Sequence, residues 1–330
     1  MQKVDLKKNT IIKDWFSTVE SKNTKSSYLQ GMFFYTELIQ KTPDELIDEA
    51  TNEQVSGKLM LQRNILKYFD RFLYFLKNRK LAPKTIKSYM SAIRSFYNFK
   101  YIEVPNIKLP KGKTLTKNKD VPTKAEIQET LEHCNKLEKA IILTGVSSGL
   151  SDVDIVNLKI SDFKKGYDPD NKIVILNLAR HKLGDTADKF TTFLSPEAIK
   201  AINDYLDFRN RDCKVNFKRE NDRIDKQRVV SDDGYLFIKK HVPASYLETG
   251  NEEERKITDT NLIQIYRGVS EKARKNTPFG NWNLIRSHNM RKYFYNVLTN
   301  NKCSYLHAEH MMGHVLDGVR GGYFVPTVEE

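Results

Sequence analysis

Three short stretches near the C-terminal end of the chain carry side chains with reactive potential. His288-Asn289-Met290-Arg291 sets an imidazole and a guanidinium one helical turn apart, so both face the same way. Gly313-His314 follows, and Tyr323 comes nine residues after that histidine. A guanidinium offers a rigid, permanently charged fork to an oxyanion. An imidazole can take up or release a proton near neutral pH. A phenol, with an ordinary pKa of about 10, becomes a nucleophile only beside a proton acceptor or in a positive site. Together these groups could bind an anion and attack it. Each alone has a plain reading: the chain holds 16 tyrosines, and most pack rather than react. His307, His310 and His314 share i, i+3 and i+7 spacing. Zinc usually adds cysteine or carboxylate ligands at matched spacing, and Glu309 is read as pointing off that face, so no metal is expected.

Elements able to position these residues are legible upstream. A helix is expected over 22–40. Thr42-Pro43-Asp44-Glu45 opens another, with a capping threonine and proline at the first helical position. Ile65, Phe69, Phe72, Leu73 and Leu76 form one apolar stripe, with Arg63, Lys67, Arg71 and Lys77 on other faces. A further helix starts at Pro83 and carries Ile86, Met90, Ile93 and Tyr97, with Lys84, Lys87 and Arg94 between them. Phe33, Phe34 and Tyr35 read as core. This is a helical bundle over 1–103 with basic outer faces. Residues 104–120, with two prolines, a glycine and Lys111, Lys113 and Lys117, read as a basic linker. The rest, 121–330, is mixed. Thr123 and Glu126 make a capping box, 140–146 looks buried, and 172–178 with 190–194 form a hairpin around Gly184-Asp185. Ser195-Pro196-Glu197 opens a helix, 210–233 is a charged insertion, and the chain is mostly helical from about Asp259. Trp282 should pack just before the motif helix. The fold class is mainly α with a small β-sheet.

Composition narrows the partners. The chain has 330 residues, 39% apolar, with no apolar run long enough for a membrane span and no signal-peptide pattern at its start. Three scattered cysteines suit a reducing cytoplasm rather than a disulfide framework. Net charge is +13, and residues 1–120 hold 23 basic against 12 acidic side chains. Between 58 and 119 the ratio is 16 to 2, which attracts a polyanion. A solvated lysine-rich face is the plain alternative.

The order His-x-x-Arg, Gly-His, then tyrosine nine residues on resembles the tyrosine recombinases, the phage-integrase family. The stretch Asp317-Gly318-Val319 and Tyr323-Phe324-Val325-Pro326 looks like its archaeal branch. Ser148 to Leu158 resembles the family's first-arginine box, with Asp154 at its acidic position. Arg180-His181-Lys182 fits the hairpin that carries the family's catalytic lysine, Lys182. The departure is Ser151, which stands where the family has its first arginine; Lys139 and Arg180 are candidate substitutes.

The resemblance implies a helical, SAM-like core-binding domain over 1–103 and a catalytic domain over 121–330. It implies double-stranded DNA as partner, a homotetramer on paired sites, no cofactor and no metal. Arg291 would hold the non-bridging oxygens of a phosphodiester, with His314 donating to them. His288 would take the proton of Tyr323, and Lys182 would give one to the leaving oxygen. The DNA-binding candidates are Lys84, Lys87, Arg94, Lys111, Lys113 and Lys117. The function implied is site-specific recombination for a mobile element, in a prokaryotic or virus-infected cell, on its nucleoid. A catalytically impaired DNA-binding relative and a type IB topoisomerase are the alternatives.

Overall fold

The structure, a computed structural model, describes residues 3–111, 120–179, 189–210, 234–240, 243–275 and 283–316, together with Phe324 and Pro326. It divides into two compact units, Met1–Leu115 and Thr116–Glu330. Among the described residues no helix is long and apolar enough to cross a membrane.

Among its described residues the elements of the first unit are all helical: α1 (Lys3–Lys8), α2 (Thr10–Ser17), α3 (Lys22–Ile39), α4 (Pro43–Val55), a 3-10 turn (Met60–Gln62), α5 (Asn64–Asn78) and α6 (Pro83–Phe99). Thr42 and Glu45 cap α4 reciprocally, with Pro43 inside the first turn. The apolar stripe of α5 is buried at Ile65, Phe69, Phe72, Leu73 and Leu76, and α6 buries Ile86, Met90, Ile93 and Tyr97. Tyr35 is fully buried, and its hydroxyl lies 3.1 Å from that of Tyr97. Phe34 packs against the same core, under the guanidinium of Arg79. Arg63 differs from its expected outer face. It precedes α5, is buried, donates to Lys58 O at 2.8 Å and pairs with Glu103 at 3.1 Å. Val104, Ile107 and Leu109 pack on this unit's core, so the first part of the 104–120 segment is attached rather than a free tether.

The second unit is built around α8. Its described elements are α7 (Lys124–Glu132), α8 (Lys136–Ser148), α9 (Asp152–Asn157), α10 (Ile160–Lys165), β1 (Tyr167–Asp168), β2 (Ile173–Ala179) and β3 (Lys189–Leu194). Then follow α11 (Pro196–Asn210), α12 (Ala244–Thr249), α13 (Glu252–Arg255), α14 (Asp259–Lys272), α15 (Ser287–Asn300) and α16 (Tyr305–Met311). The three strands are antiparallel in the order β1-β2-β3. Val174 pairs with Leu194, Leu178 with Phe190, and Ala179 with Lys189. Period-two alternation puts Val174, Leu176, Phe190 and Leu194 into the core, where Ala140, Ile141, Ile142 and Met290 meet them. Thr192 donates to Ser148 O at 2.7 Å, tying β3 to the end of α8. The two-residue β1 was not legible in the sequence. A strand that short carries no period.

Candidate active site

Three stretches distant in sequence are joined by one guanidinium. Arg291, on the first turns of α15, donates through Nη1 to Gly149 O and through Nη2 to Met312 O. Gly149 ends α8 in the left-handed region, at φ +62°, and a Cβ there would sit 2.2 Å from the Phe294 ring. Only glycine can make that turn. Met312 lies just past α16. The two bonds use two of a guanidinium's five N–H donors, leaving donor capacity for an anion. Partial burial lowers the Arg291 pKa, while Asp154, Glu309 and Asp152 act to raise it. An arginine remains charged under any of these influences.

His314 is set by how α16 ends. Gly313 adopts φ +63°, and a Cβ there would meet Phe190 ring carbons at 3.2 Å. Its N–H donates to His310 O at 2.7 Å and the next, that of His314, to Glu309 O at 3.0 Å. The chain folds back, and the His314 Nδ1 comes 2.6 Å from Glu309 Oε2. Glu309 therefore engages His314 rather than pointing elsewhere. The supposed common face of His307, His310 and His314 does not exist, because the helix stops at Met311. The Glu309 carboxylate can only accept, so Nδ1 carries the proton of that bond and the ring orientation is set by it.

His288 keeps an exposed edge one turn before Arg291. Its pKa is lowered, first by partial burial and then by Lys292, Arg286 and Arg291, with Asp152 opposing. Neutral imidazole is a proton acceptor. Ser151 and Asp154 form a capping box on α9. The Ser151 hydroxyl donates to Asp154 Oδ2 at 2.6 Å and accepts from Asp154 N at 3.4 Å. Position 151 thus holds a helix start and carries no charge.

No protein-family model matches the sequence, and no curated protein does either. Solved structures do. The XerH site-specific recombinase bound to difH substrate, in a pre-cleavage complex, matches at TM-score 0.57 and 16% identity, over 96% of this chain and 79% of that one. The Tn1549 transposon integrase in complex with transposon right end DNA gives TM-score 0.56 and 16% identity, over 92% and 90%. A lambda integrase dimer bound to a COC' core site gives 0.56 and 11%, over 97% and 93%. The fold is that of the tyrosine recombinases.

On that tyrosine recombinase fold the other expected residues fall as follows. Tyr323, Lys182, Arg180, Lys113, Lys117 and Trp282 lie outside the described residues. Lys182 falls in sequence between β2 and β3, whose described pairing runs as far as Ala179 with Lys189. Phe324, directly after Tyr323, has its ring edge-on to His307 and His310, with centroids 4.9 Å and 5.9 Å apart. His310 also accepts from Thr191 N at 3.3 Å, joining α16 to β3. Lys139 is exposed at a groove of about 590 Å³ lined also by Lys124, Leu143, Lys200 and Tyr293. Lys84, Lys87 and Lys111 are exposed on the first unit. Arg94 instead binds the chain after α6, donating to Ile107 O at 3.2 Å and Pro105 O at 3.5 Å. Among the described residues no three His, Cys, Asp or Glu side chains converge as a metal site. Sequence reasoning missed Glu309, Arg286 and Phe324. The serine-to-aspartate spacing from 151 to 154 would have exposed the cap.

Proposed function

We propose that the chain is a DNA strand transferase that cuts and rejoins duplex DNA through Tyr323. The observation that carries this is the Arg291 clamp. One side chain joins the 149–154 turn, the motif helix and the Gly-His turn, so the cation and His314 are fixed around one locus. A phosphodiester gains charge on its non-bridging oxygens as it becomes five-coordinate, and preplaced donors stabilise that charge without reorganising. Arg291 supplies such donors, and His314 adds one when its ring carries both protons, with Nδ1–H on Glu309 and Nε2–H on the phosphate.

Tyr323 Oη attacks the phosphorus as His288 takes its proton. The bond to the 5′ oxygen breaks, and that oxygen receives a proton from Lys182. The products are a 3′-phosphotyrosine and a free 5′ hydroxyl. A second 5′ hydroxyl then attacks the phosphotyrosine and releases Tyr323, so no external energy source is needed. Site-specific integration or excision of a mobile element follows if two sites are paired by four protomers. The three DNA-bound proteins of the same fold support this reading. So does the basic character of residues 58–119. The reaction takes place wherever the cell keeps DNA and a reducing medium, the cytoplasm of a prokaryote.

Ser151 favours a second reading, a DNA-binding relative that has lost cleavage. A pool of nicked duplexes with randomised cores separates the two, because the nick lets the cleaved piece diffuse away and traps the adduct. Wild-type chain should yield a denaturation-resistant protein–DNA adduct that Tyr323→Phe does not. Binding without adduct favours the second reading. Relaxation of arbitrary supercoiled plasmid without paired sites points to a topoisomerase.

A further inference from the structure

We propose that Arg286 supplies the phosphate-binding cation that position 151 lacks. This rests on the strand-transferase reading above. The turn that holds Ser151 lies against the start of α15: Ser287 donates to Asp152 Oδ1, and Arg291 to Gly149 O. Arg286 is the residue next to Ser287, so it stands at the same junction from the opposite strand of chain. Its Nε donates to Asn289 Oδ1 at 3.1 Å, and buried Asn289 is itself anchored to Leu284 O at 2.8 Å. The guanidinium is therefore oriented before any ligand arrives, as bidentate phosphate binding requires. It is half-buried, and burial lowers its pKa. Its charge is felt by both His288 and Lys292. The charges of Lys292, Arg286 and Arg291 all act on His288, so the three cations gather around that imidazole, the group assigned to take the Tyr323 proton. Lys139 lines a groove with Lys124 and Lys200, and among the described residues no side chain is seen orienting it.

The test uses full-length chain and the duplex recovered from wild-type adducts, made with either an ordinary phosphate or an uncharged methylphosphonate at the scissile position. A methyl group in place of one oxygen removes the charge a cation would neutralise. Arg286→Ala and Arg286→Gln should slow adduct formation on the phosphate by about 100-fold. Both should react close to the wild-type rate on the methylphosphonate. Wild-type speed on both substrates overturns the proposal. Equal slowing on both overturns it too, because the arginine is then only supporting the fold; should the alanine variant fail to fold, the glutamine variant decides. A wild-type chain that forms no adduct with any duplex removes the strand-transferase reading itself, and the proposal with it.

Discussion

At the scale of single residues, His288 and Glu309 show two ways of preparing an imidazole. The surroundings of His288 favour its neutral form, since burial and three nearby cations all act against protonation. If it accepts the Tyr323 proton, activity must persist while it stays neutral. Its pKa lies below the ordinary 6.5, so the rate of adduct formation should hold level from neutral pH down through that value. It should fall only at lower pH, as the ring is protonated. A pH–rate profile of the wild type against His288→Gln checks this: the substitution should lower the rate by roughly 100-fold or more and remove that acid limb. A limb that survives in His288→Gln assigns it to another group. The motif residues His288, Arg291 and His314 were legible because their types are few and their spacing is tight. Glu309 was not. Its partnership depends on a left-handed glycine that turns the chain back by five residues, and no helical spacing announces such a contact.

At the scale of elements, glycines and caps set the positions of the reactive groups. Gly149 and Gly313 both adopt positive φ, but their surroundings differ. An added methyl at 149 would lie 2.2 Å from the Phe294 ring, whereas at 313 the nearest ring carbons are 3.2 Å away. Gly149→Ala should therefore cost about 2–4 kcal/mol in urea unfolding, against about 1 kcal/mol for Gly313→Ala. Equal costs would mean that the Phe294 contact relaxes freely. Ser151→Ala should cost about 1 kcal/mol through the lost cap on α9. If Ser151→Ala leaves stability unchanged while lowering cleavage, position 151 acts on the substrate instead. The apolar stripes of α5 and α6 and the boxes at Thr42 and Thr123 were readable because helical period and capping are local. The box at Ser151 obeys the same local rule, with aspartate in place of the commoner glutamate as its third-position partner. Arg63 was misplaced because the stripe alone does not mark where a helix begins.

At the scale of the whole chain, charge is unevenly shared: 23 of the basic residues fall within 1–120, against 12 acidic ones. Bound DNA releases one counterion for each phosphate neutralised, so affinity should fall linearly with log salt, with a slope near −0.9 for each such contact. Replacing exposed Lys84 and Lys87 by alanine should flatten that slope by about 1 each, without altering which duplexes are preferred. An unchanged slope would return these lysines to the role of solvated surface. Arg94, occupied by the carbonyls of Pro105 and Ile107, should affect stability more than the salt slope. The chain divides at Leu115–Thr116, a position inside the 104–120 break in helical pattern. The attachment of 104–109 to the first unit was not legible, because Val104, Ile107 and Leu109 are too sparse to show a period.

The most direct measurement is the site of covalent attachment. The adduct formed on the nicked duplex is digested with protease and nuclease, and the peptide carrying a nucleotide phosphate is sequenced by mass spectrometry. The expected result is modification at Tyr323, lost in Tyr323→Phe and strongly reduced in Arg291→Ala. Attachment to any other residue, or an adduct that persists in Tyr323→Phe, would contradict phosphotyrosine transfer at this site.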